Sequence, residues 1–329
     1  MNGADALRDG SYVKRRGLPK RSWPGSPGHP GVSGRRIAFR SGTELTELPL
    51  RAPGLANHIS LELEESDLLA AELVAEARPD ALRRFDQISM LAGDLALQAK
   101  LVRPMLAGKR VAFMGDNDGA SLMLGLMGVF GAEPPAHMFV LDFDRRVLAQ
   151  ALALARRHGF ADRFEGRAYN AFDAVPEDLL GQFDVFYTNP PYGRANAGES
   201  ARLFITRGME LCHSRGGASG CVILPDDTER LWTRQAMRAS QAFILARGWE
   251  IQEKINSLHR YHLLSDPGLT SGMLWVSDTG TVRGLPEAPY AGRRVSPEEI
   301  AHFYGTKVRS PYPRYIRENG EHDCEWTRG

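Results

Sequence analysis

Between Lys109 and Tyr192 the apolar residues fall into short unbroken runs, each closed by a glycine, an acid or a proline. Runs of that length, separated by stretches of helical spacing, are the pattern of buried strands alternating with helices. The first run is Val111-Ala-Phe-Met114, and Gly115 and Gly119 after it allow a sharp turn and close approach of a ligand. From Ser121 the spacing becomes helical. The turn therefore sits at a helix N-terminus on the carboxyl edge of a strand, where open α/β sheets bind ligands. Met138-Phe-Val-Leu-Asp142 predicts a second strand, and Arg145 to His158 a helix with Val147, Leu148, Ala151, Leu152 and Ala155 on one face. Phe164 to Ala168 and Asp184 to Tyr187 supply two more strands, the latter ending in the rigid turn Asn189-Pro-Pro-Tyr192. A helix over Glu199–Cys212, a strand over Gly220–Pro225, a long helix over Asp227–Arg247 and strands over Glu250–Ile255 and Met273–Ser277 complete the pattern. The alternation predicts an α/β fold with a doubly wound, mostly parallel sheet.

The flanks read differently. Residues 1–57 are rich in Gly, Pro, Ser and Arg, with charge concentrated in Lys14-Arg-Arg16, Lys20-Arg21 and Arg35-Arg36, and read as a basic, flexible arm. Such an arm can clamp nucleic acid, although Tyr12, Trp23 and Phe39 interleave it only thinly. Residues 58–106 read as a small helical subdomain. Glu62, Glu64, Glu65 and Asp67 precede Leu68, Leu69, Leu73 and Val74, then Arg78-Pro79-Asp80 breaks the run before Leu91, Leu95, Leu97 and Leu101. Residues 107–279 form the catalytic unit, and 280–329, rich in Pro, Gly and Arg, an irregular tail.

Composition changes this picture little. A chain of 329 residues holds one large domain with an attachment, and a formal net charge of +1 does not describe a general polyanion binder. Cys212, Cys221 and Cys324 have no paired metal-ligand spacing, so neither a metal site nor a disulfide framework is expected. No apolar run is long enough for a membrane span, and no signal-peptide core is visible, so a cytoplasmic location is expected.

The chemistry gathers at the strand ends. The first turn lacks both the G-x-G-x-x-G and the G-x-x-x-x-G-K-[ST] spacing, which argues against dinucleotide and triphosphate ligands. It is acidic instead, with Asp116 and Asp118 flanking Asn117. Acids repel phosphate and attract an ammonium or sulfonium, which points to S-adenosylmethionine or its decarboxylated form. Asp142, about 25 residues past the glycine turn, is placed to accept the ribose hydroxyls, with Asp144 as the alternative. Asp173 either faces the adenine amine or caps the next segment, and Asp86 either caps a helix or works on the acceptor. Asn189, the Pro190 carbonyl and Tyr192 can accept hydrogen bonds from an amine and pack a ring on its body.

The strand order and the Asn-Pro-Pro-Tyr turn resemble class I S-adenosylmethionine-dependent methyltransferases that modify exocyclic amines. A closer resemblance is to the branched-chain polyamine synthases, the N4-bis(aminopropyl)spermidine synthases. It rests on Phe85-Asp86-Gln87, on Gly115-Asp-Asn-Asp-Gly-Ala-Ser121 and on Leu141-Asp-Phe-Asp144. Where that family carries Gly-Asp-Asp-Asp and Asp-Pro-Pro, this chain has Asn117 and Asn189, and each change removes a negative charge. The resemblance implies a Rossmann-like methyltransferase sheet with an N-terminal helical subdomain. It implies decarboxylated S-adenosylmethionine as the donor, bound by Gly115, Asp116, Asn117, Asp118, Gly119, Asp142 and Asp144. The acceptor is then a small amine, a polyamine or a relative, held by Asn189, Pro190 and Tyr192, with Asp86 or Asp173 keeping it unprotonated. No metal enters. The competing expectation is an N-methyltransferase that uses S-adenosylmethionine on an adenine amine, with the basic arm on the phosphates. A silent nucleoside- or nucleic-acid-binding scaffold is the third. A homodimer is the assembly considered.

Overall fold

The computed structural model describes residues 37–40, 43–47, 60–213, 216–263, 268–280, 288–305, 308–309 and 311–323. Most of the basic arm, and with it the proposed contact to nucleic acid, lies outside them. Seven strands form the central sheet in the order β6-β5-β4-β7-β8-β10-β9. They are β4 (Arg110–Met114), β5 (His137–Asp142), β6 (Phe164–Ala168), β7 (Val185–Thr188), β8 (Ser219–Pro225), β9 (Trp249–Arg260) and β10 (Thr270–Asp278). Neighbouring strands from β6 to β8 pair in parallel, and β10 runs antiparallel between β8 and β9. The doubly wound, mostly parallel sheet read from the sequence is the observed one.

Alternation along β4 sorts its side chains onto two faces. Val111 and Phe113 join a core under α1 (Glu65–Ala77), α2 (Ala92–Leu106), α3 (Ala120–Val129) and α4 (Arg145–His158). Ala112 and Met114 face the other way, onto Leu203 and Leu211 of α5 (Glu199–Leu211). A third cluster joins Phe186 of β7 and Val222 and Leu224 of β8 to α5 and to α6 (Leu231–Leu245).

Two flanking expectations change. The N-terminal part is not purely helical: β1 (Ile37–Arg40), β2 (Thr43–Glu47) and β3 (Ser60–Leu63) pair as a small antiparallel sheet. Leu61-Glu-Leu-Glu64 alternates with period two, with Leu63 buried and Glu62 and Glu64 exposed. Glu62 thus lies on a strand, while Glu64 caps α1 and Glu65 and Asp67 stand in its first turn. The tail beyond Thr279 is not irregular either. Helix α7 (Pro297–Tyr304) starts with Ser296 accepting from the Glu299 N–H and Glu299 accepting from the Ser296 N–H, a capping box with proline at the first helical position. Tyr290, Val295, Ile300 and Phe303 are buried against the α5 face of the sheet. A short pair, β11 (Tyr315–Ile316) and β12 (His322–Asp323), is held to the body by the Ile316 N–H donating to the Phe143 carbonyl at 3.0 Å.

Because Ile300 has no exposed surface, Ile300→Ala should cost about 2–5 kcal/mol of folding stability in urea unfolding. A loose tail would show a change of no more than about 0.5 kcal/mol.

Candidate active site

The chain winds outward from β4 to β6 and returns to place β7 beside β4, so a crevice opens between the ends of β4 and β7. A cavity of about 410 Å³ occupies it, walled by the glycine turn, the end of β5, the Asn189–Tyr192 turn and the Asp86–Ile88 segment. Two hydrogen bonds lock the strand ends: Thr188 Oγ1 donates to the Met114 carbonyl at 2.8 Å, and the Gly115 N–H to the Leu141 carbonyl at 2.8 Å.

Gly115 and Gly119 both have a φ of +74°, the left-handed region that favours glycine. They serve different ends. Gly115 lies on the cavity wall, whereas a Cβ on Gly119 would stand 2.6 Å from Val74 Cγ1, so Gly119 lets α3 approach α1 rather than the ligand.

The carboxylates also divide. Asp116 accepts from the Ala120 N–H at 2.8 Å and from Ser121 Oγ at 2.5 Å, capping α3. Burial outweighs these bonds and pushes its pKa up to about 8. Asp142 Oδ2 accepts from the Asp116 N–H at 3.0 Å and Oδ1 from the Asp144 N–H at 2.8 Å, while burial pushes its pKa up to about 7. Each oxygen keeps a lone pair for a ribose hydroxyl. Asp118 Oδ1 accepts from the Met90 N–H at 2.6 Å, and Oδ2 from Asn189 Nδ2 at 2.5 Å. Burial raises this pKa too, against the pull of Arg78, whose Nη1 is 3.8 Å from Oδ1. Asn117 Oδ1 is buried with no hydrogen-bond partner among the described residues.

Asp144, the alternative ribose ligand, is off the cavity wall. It is fully buried, caps α4 through the Arg146 N–H at 3.0 Å, and takes Arg146 and Gln87 side-chain donors at 2.7 and 3.0 Å. Gln87 thereby pins the Asp86–Ile88 segment to the N-terminus of α4. Asp86 is on the wall, in a left-handed conformation (φ 59°) that ends the short turn Arg83–Phe85. Asp173 is not on the wall: Arg294 and Arg314 hold it at 3.5 and 3.1 Å, stapling the tail to the sheet. The expected adenine or acceptor contact at Asp173 is thus an ion pair. Asn189, Pro190 and Tyr192 all line the cavity, with the Tyr192 hydroxyl 3.2 Å from Asn189 Oδ1.

Several wall residues escaped the sequence reading. Phe85, Phe143, Phe172 and Tyr304 form an aromatic surface with ring centroids 5.5–6.0 Å apart, and Tyr304 comes from the tail. The capping signal Ser296-Pro-Glu-Glu299 was available for that helix. Tyr261, beyond the end of β9, had no local signal. Among the described residues, no cluster of three or more metal-ligating side chains occurs, and no helix is long and apolar enough to cross a membrane.

Sheet order, reversed penultimate strand and crevice together define a class I methyltransferase-like Rossmann fold. The family model described as the branched-chain polyamine synthase A C-terminal domain matches residues 68–266, and the chain belongs to that family. A branched-chain polyamine synthase from Thermus thermophilus, in complex with N4-aminopropylspermidine and 5′-methylthioadenosine, is 22% identical with a TM-score of 0.53; the match covers 70% of this chain and 67% of that one. A mutein of that synthase with the same ligands gives 23% and 0.54 over the same shares. An uncharacterised protein of Methanocaldococcus jannaschii is 30% identical over 157 residues, 47% of this chain and 37% of the relative. This chain therefore spans little more than a third of that relative's length.

The raised carboxyl pKa values make a signed prediction. In the unfolded chain these groups ionise near 3.8, whereas the fold keeps Asp142 protonated to about 7 and Asp116 to about 8. Their contribution to stability is complete below the unfolded value and is lost as pH rises through the folded one. Asp142→Asn cannot ionise, so its stability should fall less steeply between pH ~4 and ~7, by up to about 1.4 kcal/mol per pH unit. Urea midpoints across that window measure the slope; equal slopes would mean that Asp142 ionises normally in the fold.

Proposed function

We propose that the protein is an aminopropyltransferase that moves the aminopropyl group of decarboxylated S-adenosylmethionine to an amine held at Asn189–Tyr192. The observation that carries this is the oxygen lining of the glycine turn. Asn117 Oδ1 is a buried acceptor with no partner among the described residues, and beside it stands the Asp118 carboxylate. A terminal ammonium supplies the donor that Asn117 Oδ1 lacks and adds one to Asp118, whereas a carboxylate there would face the negative charge of Asp118. Arg78, the cation nearest to Asp118, is not on the cavity wall. The remaining walls suit the rest of such a donor. Asp142 accepts ribose hydroxyls, and the Phe85, Phe143 and Phe172 rings pack on a flat base. The ligands of the Thermus thermophilus synthase, an aminopropylated polyamine and a methylthio-nucleoside, support the same reading.

The donor supplies an electrophilic carbon beside its sulfonium. The chain's residues hold the acceptor nitrogen opposite that carbon, through Asn189 Oδ1 and the Pro190 carbonyl, so positioning provides much of the rate. Asp118 is the carboxylate nearest this turn and orients it by accepting from Asn189 Nδ2. N-methylation of an adenine amine draws on the same Asn-Pro-Pro-Tyr turn. It needs an open Tyr192 face, and Tyr192 is only 7% exposed and stands edge-on to Tyr261. Contact with nucleic acid through the arm, and a homodimer, add nothing that this cavity requires.

Calorimetry with the two donors tests the proposal. The wild-type protein should bind decarboxylated S-adenosylmethionine at least about tenfold more tightly than S-adenosylmethionine, a difference of about 1.4 kcal/mol. Asp118→Asn should narrow that gap. Preference for the carboxylated donor, or methyl transfer to an adenine amine, would overturn the assignment and leave the fold untouched.

A further inference from the structure

A hydrogen-bonded chain leads from the acceptor turn into the core. The Tyr192 hydroxyl bonds that of Tyr261, and the Tyr261 oxygen is 2.6 Å from Ser271 Oγ. Ser271 Oγ is 2.8 Å from His259 Nδ1, and His259 Nε2 is 2.7 Å from Gln98 Oε1. Tyr192 and Tyr261 line the cavity, whereas Ser271, His259 and Gln98 have no exposed surface. Pairing of His259 on β9 with Ser271 on β10 sets the inner half of this path.

The direction of these bonds follows from its inner end. Gln98 Nε2 faces Cys221 Sγ at 3.4 Å and Met273 Sδ at 3.6 Å. A thioether sulfur can only accept, so the amide nitrogen belongs there and Gln98 Oε1 must face the ring. That oxygen also only accepts, so His259 Nε2 carries a hydrogen. In the neutral ring Nδ1 is then an acceptor, and Ser271 donates to it. Ser271 in turn accepts from Tyr261, and Tyr261 from Tyr192. Three hydroxyl hydrogens serve four contacts, and the longest is that between the Tyr192 hydroxyl and Asn189 Oδ1, at 3.2 Å. It is the one that gives up its hydrogen when the other three point inward, which leaves both oxygens as acceptors toward the cavity.

We propose that this chain is a proton relay that deprotonates the incoming acceptor, with His259 as its terminal proton acceptor. The inference rests on the aminopropyl reading. The acceptor arrives as an ammonium, and two of its N–H groups bond Tyr192 and Asn189. One proton passes to the Tyr192 oxygen, each hydroxyl hands its own hydrogen inward, and His259 Nδ1 gains one. The ring becomes an imidazolium and the amine regains its lone pair. That pair attacks the carbon beside the sulfonium: the C–N bond forms, the C–S bond breaks, and its electrons go to sulfur. The product leaves as a substituted ammonium, and the proton on His259 then returns outward by the same path to solvent water at the emptied cavity. After the shift Tyr192 can donate to Asn189 Oδ1, so both polarities of the chain satisfy every hydroxyl.

The groups around the path do not compete for the proton. Burial holds the Cys221 thiol and the Tyr187, Tyr192 and Tyr261 phenols above their ordinary range, so all stay protonated near neutral pH. Asp118 stands at the cavity end, and Arg260, next to the ring in sequence, is paired with Asp94 at 2.9 Å.

Two measurements on the full chain test the relay. By nitrogen NMR, the His259 ring of the free protein should carry one proton, on Nε2, and gain a second when 5′-methylthioadenosine and spermidine are bound. In kinetics with spermidine, His259→Gln should lower kcat about 10²-fold near neutral pH. The loss should shrink as the pH approaches the amine's own pKa, near ~10. Tyr192→Phe should behave alike, and the double variant should lose no more than either single one. An equal loss at every pH, or transfer by the wild type with the ring still singly protonated, overturns the relay alone. No transfer to spermidine by the wild type at any pH overturns the aminopropyl reading, and the relay with it.

Discussion

The buried carboxylate of Asp118 is the constraint on which the site depends. A bare ion at that depth would cost several kcal/mol, so its partners must come to it. They arrive from three separate segments: the Met90 N–H from the stretch before α2, the Asn189 amide from the end of β7, and the Arg78 guanidinium from the end of α1. One side chain thus joins the N-terminal helices, the donor turn and the acceptor turn. It also accounts for Asn189. A carboxylate at 189 would stand within about hydrogen-bond distance of Asp118, and two such groups either repel or share one proton. An amide donates to Asp118 and still offers an oxygen to the cavity.

Four acids line this crevice, and the three around the glycine turn are used differently. Asp116 and Asp142 use their oxygens on backbone N–H groups, which shapes the turn and orients the strand ends. Their pKa values are raised because burial disfavours the ion more than these hydrogen bonds favour it. In the proposed reading, recognition of a cationic tail falls to Asp118 and Asn117. The acidity visible along the glycine turn therefore overstates its charge, and Asn117 contributes an acceptor rather than a missing acid.

The parts of the site that were legible in the sequence are those built by local rules. Strand runs, glycine turns, Asp142 and the Asn-Pro-Pro-Tyr turn each announce themselves within a few residues. Asp144 was misread although its signal was equally local: an acid directly before a helix caps it. Asp173 was misread because its partners, Arg294 and Arg314, lie more than a hundred residues away in sequence and in a tail without obvious periodicity. Strand β9 runs five residues past its expected end, from Ile255 to Arg260, because Ser257 takes a left-handed conformation (φ 50°) that breaks the period-two pattern. The Ser257 N–H donates to Asp226 at 2.6 Å and holds that irregularity. Beyond it stand His259 and Tyr261, and the Gln98–His259 bond spans 161 positions. No window of sequence contains both ends of that bond.

The same irregularity connects fold to reaction. Trp232, Leu263 and Leu269 line the acceptor side, while Phe303 and Tyr304 of the tail line the cavity as well. An apolar enclosure of this kind weakens the solvation of an ammonium and favours the neutral amine that can attack. A strand that continued regularly beyond Ile255 would set Ser257 opposite Ser271, and the irregularity inserts two residues so that His259 pairs there instead. The irregularity at Ser257 thus presents His259 to Ser271 and the Tyr261 hydroxyl to Tyr192. In the proposed relay, the apolar residues of this wall and the internal proton acceptor answer the same need, an amine stripped of one proton.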